Sequence, residues 1–164
     1  MKSESLKKLI DSKEGLVLDA NLNYDGETIL FSWKKNLDVY FQLYTIDVNG
    51  NNLTQITVHH SNNFNACWLP NDEIAFVSDR KTAFAYCWSN TTTIIYKFKN
   101  DGSKQTRLSA NYLNDFTPSV MEDGRILYSR WEYVDRPAIP IQSLWSINPD
   151  GTKLAGVFGN RVLS

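Results

Sequence analysis

The chain has 164 residues, of which 42% are hydrophobic and 13% aromatic, enough for a packed core in a single domain. Its formal net charge is −1 and its basic residues are scattered, which argues against a nucleic-acid surface or a polybasic membrane anchor. No apolar run approaches the length of a membrane span, and Met1 to Lys13 lacks the continuous apolar stretch of a signal peptide.

In chain order, residues 3–12 come first. Leu6, Leu9 and Ile10 share one helical face with lysines opposite, so the spacing gives a short amphipathic helix, capped by Ser3 or Ser5, or else a frayed tail. After Gly15 the pattern is β throughout. Short runs rich in Ile, Val, Thr, Tyr, Phe and Trp alternate with the turn dipeptides Asp25-Gly26, Asn49-Gly50, Asn71-Asp72, Asp101-Gly102, Asp123-Gly124 and Asp150-Gly151.

These runs repeat. A strand ending in serine occurs at Ile29–Ser32, Ala75–Ser78 and Ile126–Ser129, and a strand entering a glycine turn at Leu43–Gly50, Ile95–Gly102 and Leu144–Gly151. The serines are 46 and 51 residues apart and the glycines 52 and 49, so one unit of about fifty residues is used three times. In the middle unit the strands are expected at Asn65–Leu69, Glu73–Ser78, Thr93–Lys99 and Gln105–Ser109. Four short antiparallel strands per unit is the pattern of a β-propeller blade. The expected fold is therefore all-β: a tail or helix over residues 1–14, then a partial propeller over 15–164 with blades at about 15–60, 61–112 and 113–160. Propellers close with about four to eight blades. Three blades imply either remaining blades in a longer chain or a second copy that closes a six-bladed ring.

The phrases Phe76-Val77-Ser78-Asp79-Arg80 and Asn49-Gly50-Asn51-Asn52-Leu53-Thr54-Gln55-Ile56-Thr57 resemble TolB-like propeller repeats. A narrower likeness lies in Cys67-Trp68-Leu69-Pro70-Asn71-Asp72, in Cys87-Trp88 and in the run from Asp123 to Arg136. A further match runs from Ser143 to Thr152. These are similar to the propeller domain of hydrazine synthase alpha-subunit-like proteins. The resemblance implies a propeller and an exported protein, periplasmic, extracellular or lipid-anchored. It does not extend to the reaction: no Cys-x-x-Cys-His haem motif is present.

Alternation along antiparallel strands places the tight turns at one end of each blade and the long connections at the other. The long segments, about Lys34–Tyr40, His59–Asn63, Asp79–Thr92, Ala110–Asp115 and Arg130–Gln142, hold most of the unusual polar and aromatic residues. Loops on a rigid scaffold are where binding concentrates. The candidate binding face is therefore Asp79, Arg80, Trp88, Arg130, Trp131, Glu132, Tyr133, Asp135 and Arg136. Arginines interleaved with aromatics can hold a carboxylate, a phosphate or a sugar. The same residues can instead pin loops, and that reading is favoured both for the Arg130–Arg136 run and for Asp79–Arg80. A carbohydrate or a peptide is the expected class of ligand.

His59 and His60 are adjacent, with no Cys, Asp or Glu at metal-ligand spacing, and read as loop histidines. Cys67 and Cys87 lie in one blade, as free thiols, a disulfide or a metal pair. No nucleophile elbow, zinc-hydrolase or phosphate-loop motif is present, so no catalytic, cofactor or metal residue is assigned. The leading reading is a non-catalytic binding or assembly module of an exported bacterial protein. The alternative is part of a larger redox or hydrolytic enzyme with its catalytic groups mainly elsewhere.

Overall fold

The computed structural model describes residues 6–85, 89–132 and 142–159. These form three four-stranded antiparallel sheets, each meandering in chain order. The first contains β1 (Leu16–Leu22), β2 (Thr28–Lys34), β3 (Gln42–Asp47) and β4 (Thr54–Gln55). The second contains β5 (Asn63–Trp68), β6 (Glu73–Ser78), β7 (Ile94–Lys99) and β8 (Thr106–Arg107). The third contains β9 (Asp115–Val120), β10 (Ile126–Trp131), β11 (Gln142–Ile147) and β12 (Ala155–Phe158). The middle blade begins two residues earlier than the spacing predicts, and its outer strand is reduced to a pair of residues.

The register aligns the blades residue by residue. Ile29 pairs with Ile46, Ile74 with Phe98 and Ile126 with Ile147. Two residues on, Phe31 faces Tyr44, Phe76 faces Tyr96 and Tyr128 faces Trp145. This alignment corrects the serine repeat. Ser32 and Ser129 are equivalent, opposite Leu43 and Leu144, but their counterpart opposite Ile95 is Val77. Ser78 instead matches Trp33 and Arg130, one residue further along.

A strand has two faces, and each blade uses both. The aromatic face of the second blade, Ile74, Phe76, Tyr96 and Phe98, packs against Leu30 and Leu43 of the first. The opposite face of the second blade, Cys67, Leu69, Ala75, Ile95 and Leu108, packs against Ile126, Tyr128 and Ile147 of the third, with Trp145 at its edge. Each blade thus presents an aromatic face backward and an aliphatic face forward.

The aromatic face of the first blade consists of Phe31, Tyr44 and Ile46. The tail covers it with Leu9 and Ile10. No helix forms over residues 6–12. One turn or two is too short to be stable alone, and the segment gains more as an extended strap. The Trp33 indole N–H donates to Ser12 Oγ at 2.9 Å, and Lys7 donates to the Asn49 carbonyl.

The innermost strands β1, β5 and β9 each carry a bulge. A residue with positive φ sits in each: Asp19 at 56°, Asn65 at 47° and Thr117 at 42°. Asp and Asn accept this conformation readily, whereas a β-branched Thr is strained there. A small or cyclic residue follows in each case, Ala20, Ala66 and Pro118.

Candidate functional site

At the long-loop end, the first two blades place a cation over both rings of the aromatic pair, and the third places one over a single ring. Lys35 Nζ lies 5.2 Å from the rings of both Trp33 and Tyr44. The Arg80 guanidinium lies 5.3 Å from Phe76 and 4.8 Å from Tyr96. In the third blade the position of Lys35 and Arg80 is taken by Glu132. The cation comes from Arg130, 5.0 Å from Trp145, with its Nε donating to Glu132 Oε1 at 3.1 Å. Such contacts contribute about 0.5–2 kcal/mol, more when desolvated.

Asp79 and Arg80 also clasp loops. The Asp79 carboxylate accepts from the Asn62 backbone N–H and side-chain amide, both at 2.8 Å, and from the Thr91 hydroxyl at 2.9 Å. Arg80 donates from Nε to Ser78 Oγ at 3.0 Å and from Nη2 to Asn63 Oδ1. Burial presses the Arg80 pKa down, opposed by Tyr96 and Asp79. Most of its donor and ring contacts are thus used within the blade.

The same clasp joins the second and third blades. Asn62 Oδ1 accepts the Phe41 N–H at 3.1 Å, and Asn114 Oδ1 accepts the Thr93 N–H at 2.7 Å. Beside Asn114, the fully buried Asp115 carboxylate accepts from Ser109 Oγ at 2.5 Å and Asn111 Nδ2 at 3.0 Å. Burial raises the Asp115 pKa, against the pull of those two donors, Arg130 and Lys81. Asn63 stands at the equivalent position in the second blade. Asn111 Nδ2 also reaches the Trp131 carbonyl at 3.0 Å, and Arg130 Nη2 donates to the Ala110 carbonyl at 3.1 Å.

The expected binding face is therefore divided. Arg80 and Arg130 are each folded over a ring of their own blade, and Trp131 continues β10. Trp88, Tyr133, Asp135, Arg136 and Cys87 lie outside the described residues. Cys67 is a buried thiol, free among the described residues. It points forward into the core between the second and third blades, and burial lifts its pKa to about 12. His59 shares a 2.7 Å hydrogen bond with Ser61 Oγ, and burial, then Arg80 and His60, lower its pKa. Among the described residues, no three His, Cys, Asp or Glu side chains converge on one point.

Among the described residues, two clefts each have a volume of about 430 Å³. One lies at the axis, where the three bulges meet, lined by Asp19, Asn21, Asn65, Cys67, Thr117 and Ser119 among others. There Asp19 Oδ2 accepts the Asn65 N–H at 3.2 Å and Asn21 Oδ1 accepts the Trp68 N–H at 3.1 Å, joining the first two blades. Sequence spacing could have revealed this site, since the three bulge residues stand 46 and 52 apart. The other cleft lies beside the tail on the first blade, lined by Trp33, Tyr40, Tyr44, Gln55 and His59 among others.

Among the described residues, no further sheet packs on the forward face of the third blade. Leu127 matches Leu30 and Ala75, and Leu144 matches Leu43 and Ile95. Val157 follows Gly156 as Ile56 follows Gln55 and Leu108 follows Arg107. In the first two blades Leu30, Leu43, Ala75 and Ile95 are fully buried. In the third, Leu144 is 38% and Val157 48% exposed.

Sheets stacked face to face in this way, with bulged inner strands around an axial cleft, are blades of a β-propeller, and the chain is a three-blade segment of one. Solved structures bear this out at low sequence identity. A TolB from Agrobacterium tumefaciens matches with a TM-score of 0.69 at 17% identity, over 92% of this chain and 51% of that one. Kuenenia stuttgartiensis hydrazine synthase matches with a TM-score of 0.75 at 14% identity, over 88% of this chain and 25% of that one. A puromycin hydrolase matches with a TM-score of 0.67 at 13% identity, over 93% and 23%. The chain thus spans about half or less of the length of these structures. No protein-family model matches the sequence, and no curated protein matches it. Among the described residues no helix is long and apolar enough to cross a membrane.

Proposed function

We propose that the chain is a non-catalytic assembly and binding module of an exported bacterial protein, its partner being a further set of propeller blades. The observation that carries this is the forward face of the third blade, where Leu144 and Val157 are exposed and Leu127 is half-buried. Its counterparts in the first two blades form the two interfaces that hold the molecule together. An aliphatic face of this kind, repeated three times and covered twice, is a docking surface by continuity with those interfaces. The axial cleft would be completed by the same added blades, and a carbohydrate or peptide is the ligand class we assign to the assembled ring. Export rests on the resemblance to TolB-like and hydrazine synthase alpha-like propellers.

A second reading, part of a larger hydrolytic or redox enzyme, is favoured by the puromycin hydrolase and hydrazine synthase likenesses. In each the matched region is about a quarter of the longer chain. It places the chemistry outside this segment.

The test is association measured by light scattering, together with metal analysis and turnover assays on peptide and ester substrates. In a chain lacking residues 1–12, whose first-blade face is open, Leu127→Glu with Leu144→Glu is expected to leave the chain folded and abolish association. Reproducible metal content with turnover would overturn the non-catalytic reading.

A further inference from the structure

We propose that residues 6–12 are an intramolecular plug. They occupy the docking face of the first blade, and the partner they exclude is the forward face of the third blade of a second copy. This rests on the assembly reading above and adds to it the partner and the control of access.

The aromatic face of a blade has one use in this molecule. In the second blade, Ile74, Phe76, Tyr96 and Phe98 receive Leu30 and Leu43, and in the third, Ile126, Tyr128, Trp145 and Ile147 receive Ala75 and Ile95. The first blade carries the same set, Ile29, Phe31, Tyr44 and Ile46, and there Leu9 and Ile10 stand where the aliphatic side chains of a preceding blade would. The tail therefore imitates a blade with two aliphatic residues.

The imitation is partial. Leu9 and Ile10 are only half-buried, Leu6 is fully exposed, and the cleft of about 430 Å³ beside Trp33 and Tyr44 stays open. A full strand face such as Leu127, Leu144 and Val157 would cover more. Both halves of an interblade interface are thus present on one chain, unsatisfied at one end and thinly satisfied at the other. Two copies related by a two-fold axis would satisfy both ends at once. The product has six blades, within the range of closed propellers.

Gly15 governs how the tail is held. A Cβ on Gly15 would lie 2.0 Å from the Lys34 carbonyl oxygen and 2.6 Å from that of Lys35, both backbone atoms. Any side chain there forces the tail away from β2.

The experiment is sedimentation equilibrium on the full chain and on a chain lacking residues 1–12. The full chain is expected at its own mass, 18.8 kDa, and the shortened chain at twice that mass. Adding Leu144→Asp to the shortened chain is expected to restore the single mass. A shortened chain that is folded and stays at the single mass overturns the proposal, while leaving open assembly with blades of a longer chain. A full-length dimer in which the Trp33 emission still reports the docked tail also overturns the plug, though not assembly. Should the shortened chain fail to fold, Gly15→Ala lifts the tail without removing it and is read by the same masses.

Discussion

Gly15 runs so close to β2 that a methyl group on it would stand 2.0 Å from the Lys34 carbonyl oxygen. The tail is therefore seated by backbone contact, with Leu9 and Ile10 pressed on the Phe31–Tyr44 pair. Gly15→Ala is expected to release it. Losing the half-buried Leu9 and Ile10 would cost about 1–2 kcal/mol, read by urea denaturation. The Trp33 emission is expected to shift to the red as its bond to Ser12 breaks. Unchanged emission with unchanged stability would show that the tail is not seated on this face.

The strained member of the bulge series is Thr117, at φ 42°, where the other blades have Asp19 and Asn65. Asn adopts this conformation at lower cost. Thr117→Asn is expected to stabilise the chain by about 1 kcal/mol, measured by thermal or chemical denaturation. A loss of stability would contradict the bulge assignment in β9.

Asp115 should make stability fall with pH. Burial raises its pKa in the folded chain, so over that interval the folded state holds a proton that the unfolded state has released. Its stabilising contribution is complete below the unfolded value of about 3.9 and declines as pH rises through the raised folded value. Asp115→Asn, which copies Asn63, lacks this titration. The difference in unfolding free energy, wild type minus variant, is expected to shrink from acid toward neutral pH. A difference that grows with pH would mean that the Ser109 and Asn111 bonds dominate and hold the pKa down.

Cys67 should be silent in the native state. Its thiol is buried between the second and third blades and ionises only near pH 12. In a Cys87→Ser background, a thiol reagent at pH 8 is expected to label less than a tenth of the folded chain within an hour, and all of it in denaturant. Rapid native labelling would place Cys67 outside the core.

The period of about fifty residues was legible because the blades differ little in length and their glycine turns recur. The serine phrase was less informative. Ser32 and Ser129 share a position, but Ser78 is one residue displaced, which only the strand register reveals. Helical spacing of Leu6, Leu9 and Ile10 leaves helix and tail as open alternatives for the first residues, and the structure has a tail without a helix over residues 6–12. What decides their conformation is the aromatic face that Leu9 and Ile10 cover, a tertiary contact invisible in local sequence. Of the anticipated binding residues, Asp79, Arg80 and Arg130 bond mainly to their own loops and rings. Local composition could not separate gripping a ligand from gripping a loop. The axial bulges are not legible in hydrophobic periodicity, because a positive φ at Asp, Asn or Thr leaves no mark there.

The central claim is that Leu127, Leu144 and Val157 form a docking face, and labelling of a thiol placed on it tests that claim most directly. The variant is Leu144→Cys with Cys87→Ser, in the chain lacking residues 1–12, followed over a hundredfold range of protein concentration. The account predicts fast labelling when dilute and at least tenfold slower labelling when concentrated, as a second copy covers the face. A rate that stays constant across the range would contradict it.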